Sequence, residues 1–308
     1  MGTASNIFLF PAFVQRYVGC EVNALVRHHI DLGRFLREAD ALVDYDLKAF
    51  DIDSNNFLED ELGNQYMTYI LSCAIAQIPR QLNIYPHYAA GMSMGLYAAL
   101  YESGSIDFAD GLKLIRDAFY TCKQVLPANM NFGMGYAIGL PAHEVAQCIH
   151  DHSLTVEIIN FNNENSLLIS GKSGDIKKMV EIVQEKGAIK SGVFNISVPY
   201  HASFLKETGR LLDSKLRRYH LRSPQCPIVS AIDQRLITTV GQIRHELVSN
   251  LNTPFHWLNT IKKIDQLPVN YGVESGPGNS IYRLGKFIDK DFSIVPVNKF
   301  DKMLRKEV

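Results

Sequence analysis

A serine between two glycines is the residue best placed in this chain to do covalent chemistry. The stretch Ala89-Ala90-Gly91-Met92-Ser93-Met94-Gly95-Leu96-Tyr97 contains the pattern G-x-S-x-G. The residues before it predict a short strand, and those after it predict a helix that ends near Gly104. Glycines permit a sharp turn between the two, which exposes the serine hydroxyl above helix N–H groups that stabilise an oxyanion. The pattern also fits a plain turn into a packed helix, so a partner for the serine decides between the two interpretations.

A serine nucleophile needs a general base within hydrogen-bonding distance, and the chain has 10 histidines. None of them has the H-E-x-x-H spacing of a catalytic zinc site, so we expect no metal. Most histidines, such as His28 and His29 on a predicted helix, fit surface or core positions. His201 differs because it follows Val198-Pro199-Tyr200, where the chain is predicted to return from a small subdomain to the main domain. A loop in that place can hold an imidazole over the serine, in a cleft between two domains.

Composition and charge narrow the function classes. The chain has 308 residues, of which 46% are hydrophobic, so one large domain, alone or with a smaller one, is expected. A net charge of −1 without a long basic run argues against a nucleic-acid-binding protein. Five scattered cysteines without C-x-x-C are typical of reduced thiols. The N-terminal residues lack the basic region of a signal peptide, and no apolar run is long enough to span a bilayer, so we expect a cytoplasmic protein that does not bind membranes.

The pattern of apolar residues predicts an α/β fold with two parts. Continuous apolar runs such as Ile7–Phe10 predict buried parallel strands, and they alternate with helical segments. Residues near 131–198 differ, because they read as β-α-β-β-α-β, the order of a ferredoxin-like unit. The sequence therefore predicts an α/β-hydrolase-like core from residues 1–130 and 199–308, with an inserted ferredoxin-like subdomain at 131–198.

Five blocks of the chain together resemble the malonyl-CoA:acyl-carrier-protein transacylase family, which includes acyltransferases of fatty-acid and polyketide synthesis. The resemblance runs almost from end to end, in the family's order. The blocks are Phe10-Pro11-Ala12-Phe13-Val14-Gln15-Arg16-Tyr17-Val18-Gly19, Gly91-Met92-Ser93-Met94-Gly95-Leu96-Tyr97, Asn160-Phe161-Asn162 with Ile169-Ser170-Gly171, Ile196-Ser197-Val198-Pro199-Tyr200-His201, and Glu274-Ser275-Gly276-Pro277-Gly278.

The resemblance implies a ping-pong mechanism without a cofactor. Ser93 is then the nucleophile and His201 its base, and the acyl group passes from acyl-CoA or an acyl-phosphopantetheine thioester to an acyl carrier protein. The family's pattern implies that the backbone carbonyl of Asn250 holds the histidine. It also implies that the backbone N–H groups of Met94 and Phe13 form the oxyanion hole. A carrier protein and a thioester donor are the expected partners, and a monomer is the expected state.

Departures from the family's pattern concern the acyl group. Ala118 takes the position of the family's malonyl-binding arginine, and Arg116 lies about 200° away around the same helix. Met92 replaces a histidine that helps to seat the malonyl carboxylate, and Leu96 replaces an acidic residue. We therefore expect an uncharged acyl group, since a buried carboxylate without a cation costs several kcal/mol. An Ala118→Arg change is expected to restore malonyl acylation only together with Met92→His.

Two positions carry a weaker expectation. The block match places Asn160 and Asn162 in the substrate pocket, near the mouth of the cleft. An Asx-turn in a hairpin loop explains the same two asparagines without a role in the reaction.

Three functions remain open from the sequence. The first is an acyltransferase for a neutral acyl group. The second is a hydrolase that removes acyl groups from carrier proteins in a polyketide pathway. The third is a non-catalytic relative that only binds carrier proteins. Transfer and hydrolysis differ in whether the pocket excludes water, which the sequence does not determine.

Overall fold

The structure is a computed structural model that describes residues 5–13, 20–43, 45–47 and 59–300. Residues 14–19, which complete the first family-like block and were expected to continue a loop, lie outside the described residues.

A six-stranded sheet forms the centre of the large domain. Its order is β10-β9-β1-β2-β7-β8, and all pairs are parallel except β7 with the edge strand β8. The central strand β1 is buried at every residue, as its continuous apolar run predicts. The strands are β1 (Asn6–Phe10), β2 (Tyr88–Gly91), β7 (Ile228–Val229), β8 (Leu236–Ile237), β9 (Tyr271–Glu274) and β10 (Ser293–Pro296). The predicted α/β fold is confirmed, and the edge strand β10 pairs in parallel with β9.

Helices cover both faces of this sheet. The most deeply buried is α3, in which all residues from Leu62 to Ile75 are buried. The helices of this part are α1 (Cys20–Arg27), α2 (Leu32–Asp40), α3 (Glu61–Ile75), α4 (Gln77–Gln81), α5 (Gly95–Glu102), α6 (Phe108–Val125), α9 (Thr208–Leu216), α10 (Val240–Asn252), α11 (Trp257–Asp265) and α12 (Ser280–Gly285).

Three predicted helices differ from the structure at their ends. The sequence predicts one long helix from about Glu21 towards Val43, but the structure has two, because His29 adopts a φ of 53° and the Asp31 side chain caps α2 by accepting from the Arg34 N–H. The apolar pattern predicts a helix that starts at Gln65, whereas α3 begins at Glu61 with Asp60 as its N-cap. A helix is also predicted from Ala202 to Tyr219, but this segment forms a short 3-10 turn before α9 begins.

A four-stranded antiparallel sheet lies within the segment predicted for the subdomain. The elements are β3 (Phe132–Ile138), α7 (Ala142–Asp151), β4 (Val156–Asn163), β5 (Ser166–Lys172), α8 (Ser173–Glu185) and β6 (Lys190–Val193). The sheet order β4-β5-β3-β6 gives the ferredoxin-like arrangement. Strand β6 is shorter than predicted, so residues 194–199 form an irregular linker back to the large domain.

None of the helices in the described part of the chain combines the length and the apolar character needed to cross a membrane.

Candidate active site

Ser93 lies in a sharp turn between β2 and α5. Its φ of 54° is in the left-handed region, where a residue with a β-carbon is strained by about 1 to 3 kcal/mol. The flanking glycines are required by close backbone packing. A β-carbon at Gly91 would overlap the backbone nitrogen of Leu96, and one at Gly95 would overlap the carbonyl of Phe10. The sequence pattern therefore folds as the predicted elbow, with the serine at its apex.

His201 contacts Ser93 at the carboxyl end of the central sheet. The distance between Ser93 Oγ and His201 Nε2 is 2.7 Å, which is a hydrogen bond between residues 108 apart in sequence. His201 also has a left-handed backbone, with a φ of 62°, and its N–H donates to the carbonyl of Leu251 at 2.8 Å. Both reacting residues are thus held in conformations that the surrounding packing must maintain.

The imidazole of His201 is neutral over the physiological pH range. It is 1% exposed, and the ring of Phe255 packs 4.6 Å from its centre. Burial lowers the pKa of His201 to about 3, and the backbone carbonyl of Thr253 opposes this shift only in part. A neutral ring that contacts a hydroxyl at Nε2 can accept its proton.

Residues at the end of α10 contact both Ser93 and His201, although not in the way that the resemblance implies. Asn250 was expected to hold His201 through its backbone carbonyl. Among the described residues, however, Nδ1 of His201 has no hydrogen-bond partner of ordinary geometry. The Asn250 side chain instead donates from Nδ2 to the carbonyl of Ser93 at 3.3 Å. Asn250 therefore acts on the nucleophile turn, while Leu251 and Thr253 act on the histidine.

The backbone N–H of Met94 lies at the turn and is available for an oxyanion. The N–H groups of Gly95 and Leu96 bind the carbonyls of Met92 and Ser93 at 2.9 and 3.1 Å. Among the described residues, no backbone hydrogen bond takes the N–H of Met94, and the first turn of a helix leaves such donors free. Phe13 lies on the wall of the same cavity. Met94 and Phe13 therefore both line the cavity, and their role as oxyanion donors stays a prediction.

A cavity of about 120 Å³ opens beside the serine and the histidine. Its wall comes mainly from the large domain, with Met134 of β3 and residues of the linker completing it, so the two parts enclose one cleft as predicted. Its described lining contains one carboxylate, several amides and no lysine or arginine. The lining residues are Phe13, Glu61, Asn64, Gln65, Ser93, Met94, Tyr97, Ala118, Met134, Asn195, Ile196, Tyr200, His201, Asn250 and Leu251.

Ala118 faces this cavity, at the position where the family has its arginine. Arg116 does not take over that place. It lies outside the lining, 38% exposed, with its guanidinium 3.8 Å from the carboxylate of Asp117. The cavity therefore has no cation among its described lining residues with which to bind a malonyl carboxylate.

Four predicted pocket residues lie elsewhere. Met92 packs in the hydrophobic core behind the elbow, with β1 and α11, and Leu96 is buried in the core on the other face of the sheet. Asn160 donates to the side chain of Asn162 at 2.7 Å and accepts from the backbone N–H of Trp257 at 3.0 Å. Asn162 donates further to Ser166 at 3.4 Å. The two asparagines therefore hold β4 against the start of α11, and their amides are used in buried structural contacts.

Sequence reasoning missed the contribution of α3 and of Tyr200. The Gln65 amide donates to the Tyr200 hydroxyl at 3.0 Å, and both side chains line the cavity, as does Glu61 one turn earlier on α3. The aspartate at position 60 was a usable signal, because an N-cap residue there starts the helix at Glu61 and puts Glu61 and Gln65 on one face.

Comparisons with known proteins agree with this architecture. No protein-family model matches the chain. The malonyl CoA-acyl carrier protein transacylase of Haemophilus influenzae is 27% identical over 299 residues, which is 94% of each chain. The polyketide biosynthesis protein ThaF of Burkholderia thailandensis is 25% identical over 281 residues, covering 90% of this chain and 24% of the longer protein. The crystal structure of an acyl-carrier-protein S-malonyltransferase from Burkholderia pseudomallei has a TM-score of 0.85 and 27% identity, covering 98% of this chain and 99% of that one. The resemblance to the malonyl-CoA:acyl-carrier-protein transacylase family is thereby confirmed, in sequence along the chain and in fold.

Proposed function

We propose that this protein is a serine acyltransferase that moves an uncharged acyl group from a thioester donor to the phosphopantetheine thiol of an acyl carrier protein. The observation that carries the proposal is the 2.7 Å contact of Ser93 with a neutral, buried His201 beside a cavity whose described lining has no cation. The names of its relatives support a carrier protein as the acceptor. Ala118 in the arginine position supports an uncharged acyl group.

The first half-reaction forms an ester on the serine. Ser93 Oγ attacks the thioester carbonyl while His201 Nε2 takes the hydroxyl proton, and the Met94 and Phe13 N–H groups stabilise the tetrahedral oxyanion. The C–S bond then breaks, and the departing sulfur receives the proton from His201. The products are the free thiol and acyl-Ser93.

The second half-reaction repeats these steps with the carrier's thiol. His201 takes the thiol proton, the sulfur attacks the ester carbonyl, and the C–O bond to Ser93 breaks as the proton returns to Oγ. No cofactor is part of this proposal, because a base and oxyanion donors are sufficient for acyl transfer between thioesters.

Hydrolysis of the acyl-serine is the alternative function, with water in place of the carrier's thiol. The cavity is lined by the amides of Asn64, Gln65, Asn195 and Asn250, and hydrolysis is favoured by such polar groups because they can bind water. The lifetime of the acyl-enzyme distinguishes the two. A transferase keeps the acyl group until a carrier protein arrives, whereas a hydrolase loses it in buffer.

Intact mass spectrometry tests the proposal. The protein is incubated with acetyl, butyryl and malonyl thioesters, and the mass gain is followed over time with and without a carrier protein. Ser93→Ala is expected to gain no acyl mass, and His201→Ala to acylate about 10² to 10⁴ times more slowly. Acylation of Ser93→Ala would show that the serine is not the nucleophile. Absence of any acylation of the wild-type protein would favour a non-catalytic carrier-binding protein.

A further inference from the structure

The carbonyl of Ser93 accepts two hydrogen bonds, and one of them comes from a distant element. The N–H of Leu96, in the first turn of α5, donates to this carbonyl at 3.1 Å. The side-chain Nδ2 of Asn250, near the end of α10 and 157 residues away in sequence, donates to it at 3.3 Å. A carbonyl oxygen has two lone pairs, so it can hold both donors at once. The buried Asn250 amide therefore supports the nucleophile turn from outside.

The peptide unit that carries this carbonyl also carries the N–H of Met94. A trans peptide unit is planar, and its C=O and N–H point in opposite directions. Among the described residues, no backbone hydrogen bond takes the Met94 N–H, and Met94 lines the cavity beside Ser93 and His201. The direction of the Ser93 carbonyl therefore determines the direction of the predicted oxyanion donor.

This peptide unit needs support because it follows a strained residue. The left-handed φ of 54° at Ser93 persists only where the surroundings hold it. The two torsions that flank a planar peptide unit can turn in opposite senses and swing its C=O and N–H together. The hydrogen bond from Leu96 belongs to the first turn of α5, and helix ends fray. A second donor on the same carbonyl, held by α10, opposes that rotation.

We propose that the Asn250 side chain is a positioning residue that orients the Met94 N–H towards the oxyanion formed during acyl transfer. This inference rests on the proposed function and adds a side chain to it. The resemblance assigned a role only to the backbone carbonyl of Asn250, so the role of its amide is a separate one. A donor on the C=O also polarises the peptide unit, which strengthens its N–H as a donor.

The experiment compares two acetyl donors that differ only in the atom on which negative charge develops. They are the N-acetylcysteamine thioester of acetic acid and the matching dithioester, in which sulfur replaces the carbonyl oxygen. Ser93 Oγ attacks the same carbon in both, and the same thiol leaves. Sulfur accepts hydrogen bonds weakly, so the dithioester gains little from an oxyanion donor. Single-turnover acylation is followed by intact mass over a range of donor concentrations.

Two variants remove the donor from position 250. Asn250→Leu keeps the branched shape of the side chain, and Asn250→Ala cannot overpack the site. Each is expected to slow acylation by the thioester about 30-fold or more and by the dithioester less than about 3-fold, so the ratio of the two rates falls about 10-fold or more. The half-saturating thioester concentration is expected to change less than about 3-fold, because the contact is made to the transition state. Both donors are tested on the same sample, so the folded fraction cancels in the ratio.

Asn252→Leu is the matched control on the same helix. The Asn252 amide donates to the carbonyl of Lys206 and to the hydroxyl of Thr208, both at 3.5 Å, and it is outside the cavity lining. The variant therefore removes a structural amide two residues from Asn250 without touching the Ser93 carbonyl. It is expected to keep the wild-type ratio between the two donors.

The outcomes distinguish this inference from the function on which it rests. If neither donor acylates the wild-type protein, the proposed function fails, and the role of the Asn250 amide fails with it. If the wild-type protein is acylated and the Asn250 variants slow both donors equally, acyl transfer stands and the amide is only a structural contact. Wild-type rates in both Asn250 variants would also show that the amide does not orient the oxyanion donor.

Discussion

The variant Ala118→Arg tests whether the cavity binds a malonyl carboxylate once a cation is added to its wall. Ala118 lines the cavity and is 4% exposed, so Ala118→Arg places a guanidinium in a nearly closed space. Glu61 lines the same cavity. In the single variant, we expect the new arginine to pair with Glu61 and to remain unavailable to a malonyl carboxylate. We do not expect Met92→His, the companion change suggested by the resemblance, to add to this effect, because Met92 packs behind the elbow.

The magnitudes follow from the free energies of charged hydrogen bonds. A hydrogen bond to a charged group contributes about 1.5 to 3 kcal/mol, which is roughly 10- to 150-fold in rate if it is made only with malonyl. Ala118→Arg alone and Glu61→Gln alone are each expected to raise the malonyl-to-acetyl ratio by less than about 3-fold. The double variant frees the guanidinium and is expected to raise the ratio by about 100-fold or more, with a coupling energy of about 1.5 to 3 kcal/mol.

The assay is acyl-enzyme formation with malonyl-CoA and acetyl-CoA, measured for the four members of this cycle. Ala118→Met is the matched control, since it adds bulk without charge, and thermal unfolding of each variant detects the overpacking that costs about 1 to 3 kcal/mol. The reasoning is refuted if Ala118→Arg alone accepts malonyl as well as the double variant does. It is also refuted if the unmodified protein is malonylated as readily as it is acetylated.

Two further predictions concern the nucleophile turn and the histidine. Gly91→Ala is expected to lower the free energy of unfolding by about 3 kcal/mol or more, because its β-carbon would overlap the backbone of α5. Gly241→Ala, at an open position in the first turn of α10, is the control and is expected to stabilise by about 0.5 to 1 kcal/mol in denaturant titrations; equal effects would contradict the packing argument. For the histidine, a pKa of about 3 in the folded protein keeps His201 neutral, so the single-turnover acylation rate is expected to stay flat from pH 8 to about 5. A rate that halves near pH 6.5 would show an ordinary, solvated imidazole. The pKa of His201 is lower in the folded than in the unfolded state, so the titration of this residue does not change the free energy of unfolding above pH 6.5. As the pH falls from 6.5 towards 3, it lowers the free energy of unfolding by about 1.4 kcal/mol per pH unit. Circular dichroism at each pH therefore has to show that the protein is still folded.

The nucleophile turn could be predicted from sequence because its cause is local. The two glycines are four residues apart, and a β-carbon at Gly91 would meet the backbone of α5, which directly follows the turn. The need for glycine at position 95 also involves a distant contact, because a β-carbon there would meet the carbonyl of Phe10 at the end of β1. The order β-α-β-β-α-β was equally readable, since each of its elements has its own apolar period. The parallel sheet and the ferredoxin-like unit therefore followed from patterns within short windows.

The wall of the cavity was harder to predict because it depends on distant contacts. Asn160 matched a family block, yet its amide binds Trp257, which is 97 residues later in the chain. Glu61 belongs to no block, and its place in the cavity is fixed by Ser197, which is 136 residues away. A pattern of residue types along the chain shows which side chains are polar, but not which polar atoms are left without partners after folding.

Among its described lining residues, the cavity has an alanine at position 118, where the resemblance implies an arginine, and it has the carboxylate of Glu61. A site with both an arginine at 118 and Glu61 would pair them with each other, and a site with neither would be neutral. Among the described lining residues, this cavity has the Glu61 carboxylate without a lysine or arginine. A malonyl group would bring a second negative charge to the same space, and the repulsion of two like charges adds to the absence of a cation. The expected preference against malonyl thus has two physical causes, and only the absence of a cation could be predicted from the sequence.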